Sequence, residues 1–171
     1  MTQELSDLRV SIVEGRYDEA IAIIDDLEEM SKKAILRNIM SFLIRLMIHL
    51  IKNQIESRLT NSWIASISDS VIAIQDLNLK DNKQSVYIKL DQWQPYLEEA
   101  IERAIRPASV EVMNGKLKPA HISRQIDRNK LIDITLQLLN LTYQYSAKEL
   151  PIKIDRVLVD LPGGKEWFDE V

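Results

Sequence analysis

The stretch Lys33–Glu56, KAILRNIMSFLIRLMIHLIKNQIE, constrains the fold more than any other part of the chain. It is apolar around most of a helical circumference, yet Lys33, Arg37, Ser41, Arg45, His49 and Asn53 recur at every fourth position, with Lys52 alongside. Steps of four residues advance about 400° on a helix of 3.6 residues per turn, so these side chains form one slowly drifting polar row on a greasy rod. Such a rod needs other helices around it. Its Ile, Leu, Met and Phe side chains must be covered, and its polar row must meet water or partners that satisfy it.

The rest of the composition agrees with helices. Gly at 4 and Pro at 5 in 171 residues are few for a chain of many β-turns, and 46% apolar with 28% charged residues is enough to build a core. The expectation is an all-α single domain over 1–171, a bundle of five to six helices around a central helix at about 33–56, with residues 151–171 as a tail packed on the bundle or on a second subunit. A net charge of −4 gives no reason to expect nucleic acid or an anionic membrane as partner. With no cysteine, disulfides, thiol catalysis, zinc ribbons and iron–sulfur ligation are excluded. The first twenty residues carry charges throughout and have no apolar core of signal-peptide length. Arg37, Arg45 and His49 interrupt the run of about 18 apolar residues that a membrane span requires. These features point to a cytoplasmic protein with no membrane segment.

Taken in order, residues 3–14 place Leu5, Leu8, Ile12 and Val13 on one side of a short amphipathic helix ended by Gly15. Asp18 can cap a second helix with Ile21, Ile24, Leu27 and Met30 as its buried stripe. A break near Ser31 separates that helix from the central one. Asn61 or Ser62 can cap a third helix carrying Trp63, Ile64, Ile67, Val71, Ile74 and Leu77. VYIKL at 86–90 alternates like a strand, but a lone strand has nothing to pair with, so irregular or helical backbone is expected. A helix from Asp91 buries Leu97, Ile101, Ala104 and Ile105, and Pro107 bends or interrupts its continuation. Pro119 opens a last long helix to about Ser146. Trp167 and Phe168 are placed to anchor the tail or to hold a second subunit.

Several motifs fall in a particular order: RYD before an acidic helix ending LEEM, then a helix ending HLIKNQ, then SWIASI, and after a gap PYLEEAIERA. This order resembles the largely bacterial family of small helical proteins known as the domain of unknown function, number twenty-nine. The matching positions are Asp18, Leu27, Glu28, Glu29, Met30, Ser41, His49, Leu50, Lys52, Trp63, Ile67 and Leu97. The resemblance runs over residues 16–105 and leaves residues 116–171 without a counterpart. It implies a helical fold and carries no activity across.

Catalytic and metal chemistry meet obstacles of spacing. A di-metal carboxylate site in a bundle needs Glu-x-x-His pairs, whereas Leu46 precedes His49 and Lys118 precedes His121 at that spacing. No metal and no cofactor are expected. Arg45 and His49 lie one turn apart and resemble the Arg and His of helical toxin-type ribonucleases, with three residues between them in place of four to six. RNA binding or cleavage by this pair is therefore the alternative function. GGK at 163–165 lacks the upstream Gly and the following Ser or Thr of a phosphate-binding loop. The basic group of Lys116, Lys118, His121, Arg124, Arg128 and Lys130 has no interleaved aromatic and is interrupted by Asp127, which favours a solvated face or a dock for the acidic residues of another helix over nucleic acid. The leading expectation is a non-enzymatic protein–protein interaction module, a homodimer or a partner of another protein, with Arg124, Arg128, Trp167 and Phe168 as contact residues. An antitoxin-like partner protein is a further alternative.

Overall fold

The computed structural model describes residues 2–82 and 84–169. Among them lie eight α-helices: α1 Thr2–Val13, α2 Tyr17–Glu56, α3 Asn61–Asn78, α4 Gln94–Glu111, α5 Pro119–Gln125, α6 Arg128–Gln144, α7 Leu150–Leu158 and α8 Gly164–Asp169. Two short 3-10 segments, Leu90–Gln92 and Val112–Gly115, join the middle helices. The all-α class and the long helix with others packed against it are as the sequence indicates, with eight helices among the described residues where five or six were expected. Contacts divide the chain into a first unit ending at Arg37 and a second beginning at Asn38.

In the first unit α1 and the opening of α2 form a hairpin. Gly15 takes the left-handed conformation at φ +73, and the Arg16 amide donates to the Ser11 carbonyl at 2.8 Å, so the chain reverses within three residues. Ser11 and Ala20, one on each side of the turn, are the buried residues of this hairpin.

The second unit holds the main core. On α2, Ile39, Leu43, Leu46, Met47, Leu50 and Ile51 have essentially no exposure. Polar links show which elements cover them. The Arg45 Nε donates to Ser66 Oγ on α3 at 2.7 Å, Lys52 Nζ lies 3.6 Å from Glu111 on α4, and Thr135 Oγ1 on α6 lies 3.6 Å from Met47 Sδ. By length and hydropathy α2 would suffice to cross a membrane despite Arg37, Arg45 and His49, and 39% of its most apolar stretch is buried within the protein.

A second set of buried polar groups closes the far end of α3. Asn78 donates from Nδ2 to the Ile88 carbonyl at 2.9 Å and accepts at Oδ1 from the Ile88 amide at 2.7 Å. Tyr143 joins the same carbonyl at 2.7 Å and accepts from Trp93 Nε1 at 2.8 Å. This gives VYIKL its irregular backbone. Its edge is met by one isolated bridge, Leu79 to Val86, and by the Asn78 amide group standing in for a neighbouring strand.

Several sequence expectations are corrected. No break occurs at Ser31: residues 17–56 contain neither Gly nor Pro, and Glu28 and Glu29 stand four residues before Lys32 and Lys33, a spacing that supports a continuous helix. Pro107 lies inside α4 without ending it. Thr60, not Asn61 or Ser62, caps α3, accepting from the Trp63 amide at 3.1 Å. The expected helix from Pro119 to Ser146 is divided at Ile126–Asp127, because Asp127 caps a new helix by accepting from the Lys130 amide at 3.1 Å.

Asn53 supplies a direct test of how the polar row serves the core. It is 1% exposed, and its Nδ2 donates to the carbonyls of Arg58 at 3.1 Å and Pro162 at 2.7 Å. Asn53→Ala leaves both carbonyls short of a donor and is expected to lower unfolding free energy by about 1–3 kcal/mol, measured by urea denaturation.

Candidate interaction surface

The polar row on α2 changes character along its length. Lys33, Arg37, Ser41 and Arg45 are exposed, His49 is half-buried, and Lys52 and Asn53 are buried. The buried end gathers around Trp63 at the start of α3. Lys52 Nζ lies 4.6 Å and Arg58 Cζ 4.7 Å from the centre of the Trp63 ring, distances at which a cation is attracted by the ring quadrupole. The His49 ring is tilted against the same indole at 6.5 Å between centroids. A cleft of about 310 Å³ opens beside Trp63, lined also by Lys52, Arg58, Glu56, Glu111 and Lys116. Each carboxylate in it already faces a cation: Glu111 faces Lys52, and Glu56 faces Arg58 at 3.1 Å.

These surroundings decide what His49 can do. Desolvation first, and then the charges of Lys52 and Arg45 working against that of Glu111, lower its pKa to about 4. The ring is neutral near pH 7, so it cannot donate a proton as a general acid. Its Nδ1 is buried with no hydrogen-bond partner, and Arg45 points its Nε at Ser66. Neither residue lines the cleft beside Trp63. Among the described residues no group of three or more His, Asp or Glu side chains is placed to hold a metal ion.

Of the contact residues expected from the sequence, Arg128, Trp167 and Phe168 make contacts within the second unit. Arg128 donates to Glu102 at 2.7 Å, to the Ser123 carbonyl at 2.7 Å and to Ser123 Oγ at 2.8 Å. Arg124 is exposed on α5, while Arg128 opens α6 across the Asp127 cap, so the two do not share one helix face. Trp167 and Phe168 are half-buried, stacked edge to face at 4.4 Å, and Trp167 Nε1 donates to Asn61 Oδ1 at 2.9 Å. They tie the tail to the start of α3.

The surface that sequence reasoning missed is on the hairpin. Of the thirteen large apolar side chains that are exposed among the described residues, eight lie in the first unit: Leu5, Val10, Ile12, Val13, Tyr17, Ile21, Ile24 and Met30. This corrects the expectation that Leu5, Ile12 and Val13 on α1, and Ile21, Ile24 and Met30 on α2, are buried. A two-helix hairpin has one seam, and here Leu8, Ser11, Ala20, Ile23 and Leu27 occupy it as buried or half-buried residues.

At about 100° per residue, Leu5 and Ile12 lie about a quarter turn beyond the seam on α1, and Tyr17, Ile21 and Ile24 lie about a quarter turn beyond it on α2, in the direction of winding. Two right-handed helices running in opposite directions carry that step to the same side. The five side chains therefore form one apolar face two helices wide. The signal was present in the sequence as apolar residues on more than one face of each short helix.

Comparison of the chain with protein-family models, with characterised proteins and with solved structures gave no match.

The state of His49 generates a pH prediction. Its folded pKa lies below the unfolded value of about 6.5, so between roughly pH 6.5 and 4 the unfolded chain binds the extra proton. The associated stability is present above pH 6.5 and is lost as pH falls towards 4. His49→Leu should shrink the loss of unfolding free energy between pH 7.5 and pH 5 by about 1 kcal/mol, an amount reduced for solvent at the part-exposed ring. Parallel denaturant titrations of both proteins at the two pH values measure it.

Proposed function

We propose that this protein is a non-enzymatic protein–protein interaction module and that the hairpin of residues 2–30 is its docking element. The observation that carries the reading is the concentration of eight exposed large apolar side chains on a unit that holds little more than a fifth of the chain. Five of the eight share one face by helical spacing, and exposed apolar surface gathered in one place marks a binding site, whereas scattered single residues do not. Tyr17, at 64% exposure, supplies the kind of amphipathic aromatic anchor that dominates interface energetics. The neutral, part-covered His49 and the engaged Arg45 weigh against RNA cleavage by that pair.

A place beside the domain of unknown function, number twenty-nine, belongs to the same reading. Its support is motif order together with one spatial fact: His49, Lys52 and Trp63, matched from separate motifs, meet around a single indole. A cytoplasmic setting fits a chain without cysteine.

The test is a photo-crosslinking residue in place of Tyr17, with the same residue in place of Val110 as an exposed apolar control on the second unit. Expression in the native host is expected to give a discrete protein adduct from position 17 and none from position 110. Equal labelling from both positions, or no adduct from position 17, would refute the assignment. So would RNA cleavage by the purified protein that His49→Ala abolishes with the fold intact.

A further inference from the structure

The hairpin face carries a second pattern, in its charges. Residues 2–30 hold nine carboxylates (Glu4, Asp7, Glu14, Asp18, Glu19, Asp25, Asp26, Glu28 and Glu29) against two cations, Arg9 and Arg16. Arg16 is bound to Glu14 and Glu19 at the turn. That leaves Arg9, exposed, as the cation of α1. By helical spacing Arg9 borders the apolar face on the outer edge of α1, and Asp18 and Asp25 border it on the outer edge of α2. Counted from the turn at Gly15, Arg9 is level with Ile21, between the levels of Asp18 and Asp25.

One edge of the face is thus basic at the height where the other edge is acidic. A surface of that kind is complementary to its own copy turned through a two-fold axis parallel to the helices. Size points the same way, because a helical unit of 37 residues has too few internal neighbours to bury its apolar surface and usually needs a disulfide, a metal or association. This chain has no cysteine, and its first unit offers only two helices.

We infer that the occupant of the hairpin face is a second copy of this chain. The two hairpins form a four-helix bundle with their turns at the same end and each α1 antiparallel to the partner copy's α2. Leu5, Ile12, Tyr17, Ile21 and Ile24 of both copies fill the new core, and Arg9 of each copy sits between Asp18 and Asp25 of the other. This rests on the interaction-module reading and deepens it by naming the partner.

The experiment is sedimentation velocity on the full chain from low to high micromolar concentration, with circular dichroism to verify helix content. The wild type is expected to be a dimer. Arg9→Asp alone, and Asp18→Arg with Asp25→Arg, should each raise the dissociation constant about tenfold or more. An equimolar mixture of the two variants should recover a heterodimer near wild-type affinity, and that recovery also proves that both variants fold. Ile21→Asp should give a helical monomer. A monomeric wild type, charge variants that associate as the wild type does, or a mixture that fails to recover would each overturn the inference. A monomeric wild type whose position 17 still crosslinks to another protein would sink the homodimer alone and leave the docking role of the hairpin standing.

Discussion

A helix can hide only as much apolar surface as it has neighbours to hide it against, and α2 meets that limit in two different ways. From Asn38 onward it runs among α3, α4 and α6, and Ile39, Leu43, Leu46, Met47, Leu50 and Ile51 vanish from solvent. Before Arg37 its neighbour in the same unit is α1, and one seam covers one face. Ile21 and Ile24 follow the helical spacing of buried residues, yet both are exposed, at 56% and 40%. Helix propensity does not distinguish the two halves; the number of helices packed against each one does. Since fully burying one such side chain is worth about 1.5–3 kcal/mol, the hairpin carries a standing incentive to acquire neighbours.

The polar row follows the same division. Where α2 is enclosed, each polar side chain has a structural task. Asn53 ties the end of the helix to the tail through Pro162, Arg45 fixes α3 through Ser66, and Lys52 spans Trp63 and Glu111. Left unpaired in a low-dielectric interior, such groups would be costly, so their pairing sets how the helices sit against one another. His49 is the exception. The ring around its unpaired Nδ1 stays neutral first because it is desolvated and then because Lys52 and Arg45 stand near it. Burial, aided by the two cations that hold the helices in register, therefore leaves the histidine without a proton to donate near neutral pH.

Much of this architecture was legible in the sequence because it depends on local chemistry. The all-α class, the greasy rod, the stop at Gly15 and the irregular VYIKL follow from periodicity and breakers. The boundaries that differ turn on contacts that local pattern does not encode. Pro107 continues a helix whose next residue, Ala108, is fully buried in packing that outweighs the lost backbone hydrogen bond. Asp127 starts a new helix where apolar spacing alone runs straight through. The hairpin face was the hardest to read. A sequence shows that Ile21 and Ile24 need cover but not whether the same chain supplies it. The Trp63 cluster was missed for a related reason: His49, Lys52, Arg58 and Glu111 meet there only after three helices have packed.

Net charge alone suits an acidic hairpin to a basic partner more than to itself, and the placement of its charges answers that. Glu14 and Glu19 are held by Arg16 at the turn, and helical spacing puts Asp26 on the side of α2 away from the apolar face. The edges of the face carry Arg9 on one side and Asp18 and Asp25 on the other, and Glu28 stands one turn after Ile24 at the end of the face away from the turn. A uniformly basic helix would satisfy the aspartates and press a like charge against Arg9, whereas a second copy satisfies both edges at once. Geometry adds a further reason. A two-fold arrangement uses the face once per copy and closes, so the apolar surface is consumed with none left to recruit a third chain. A head-to-tail contact through the same residues would leave one hairpin uncovered at every step and would build open filaments. Self-complementary edges around a single apolar face therefore specify both the partner and the point at which assembly stops.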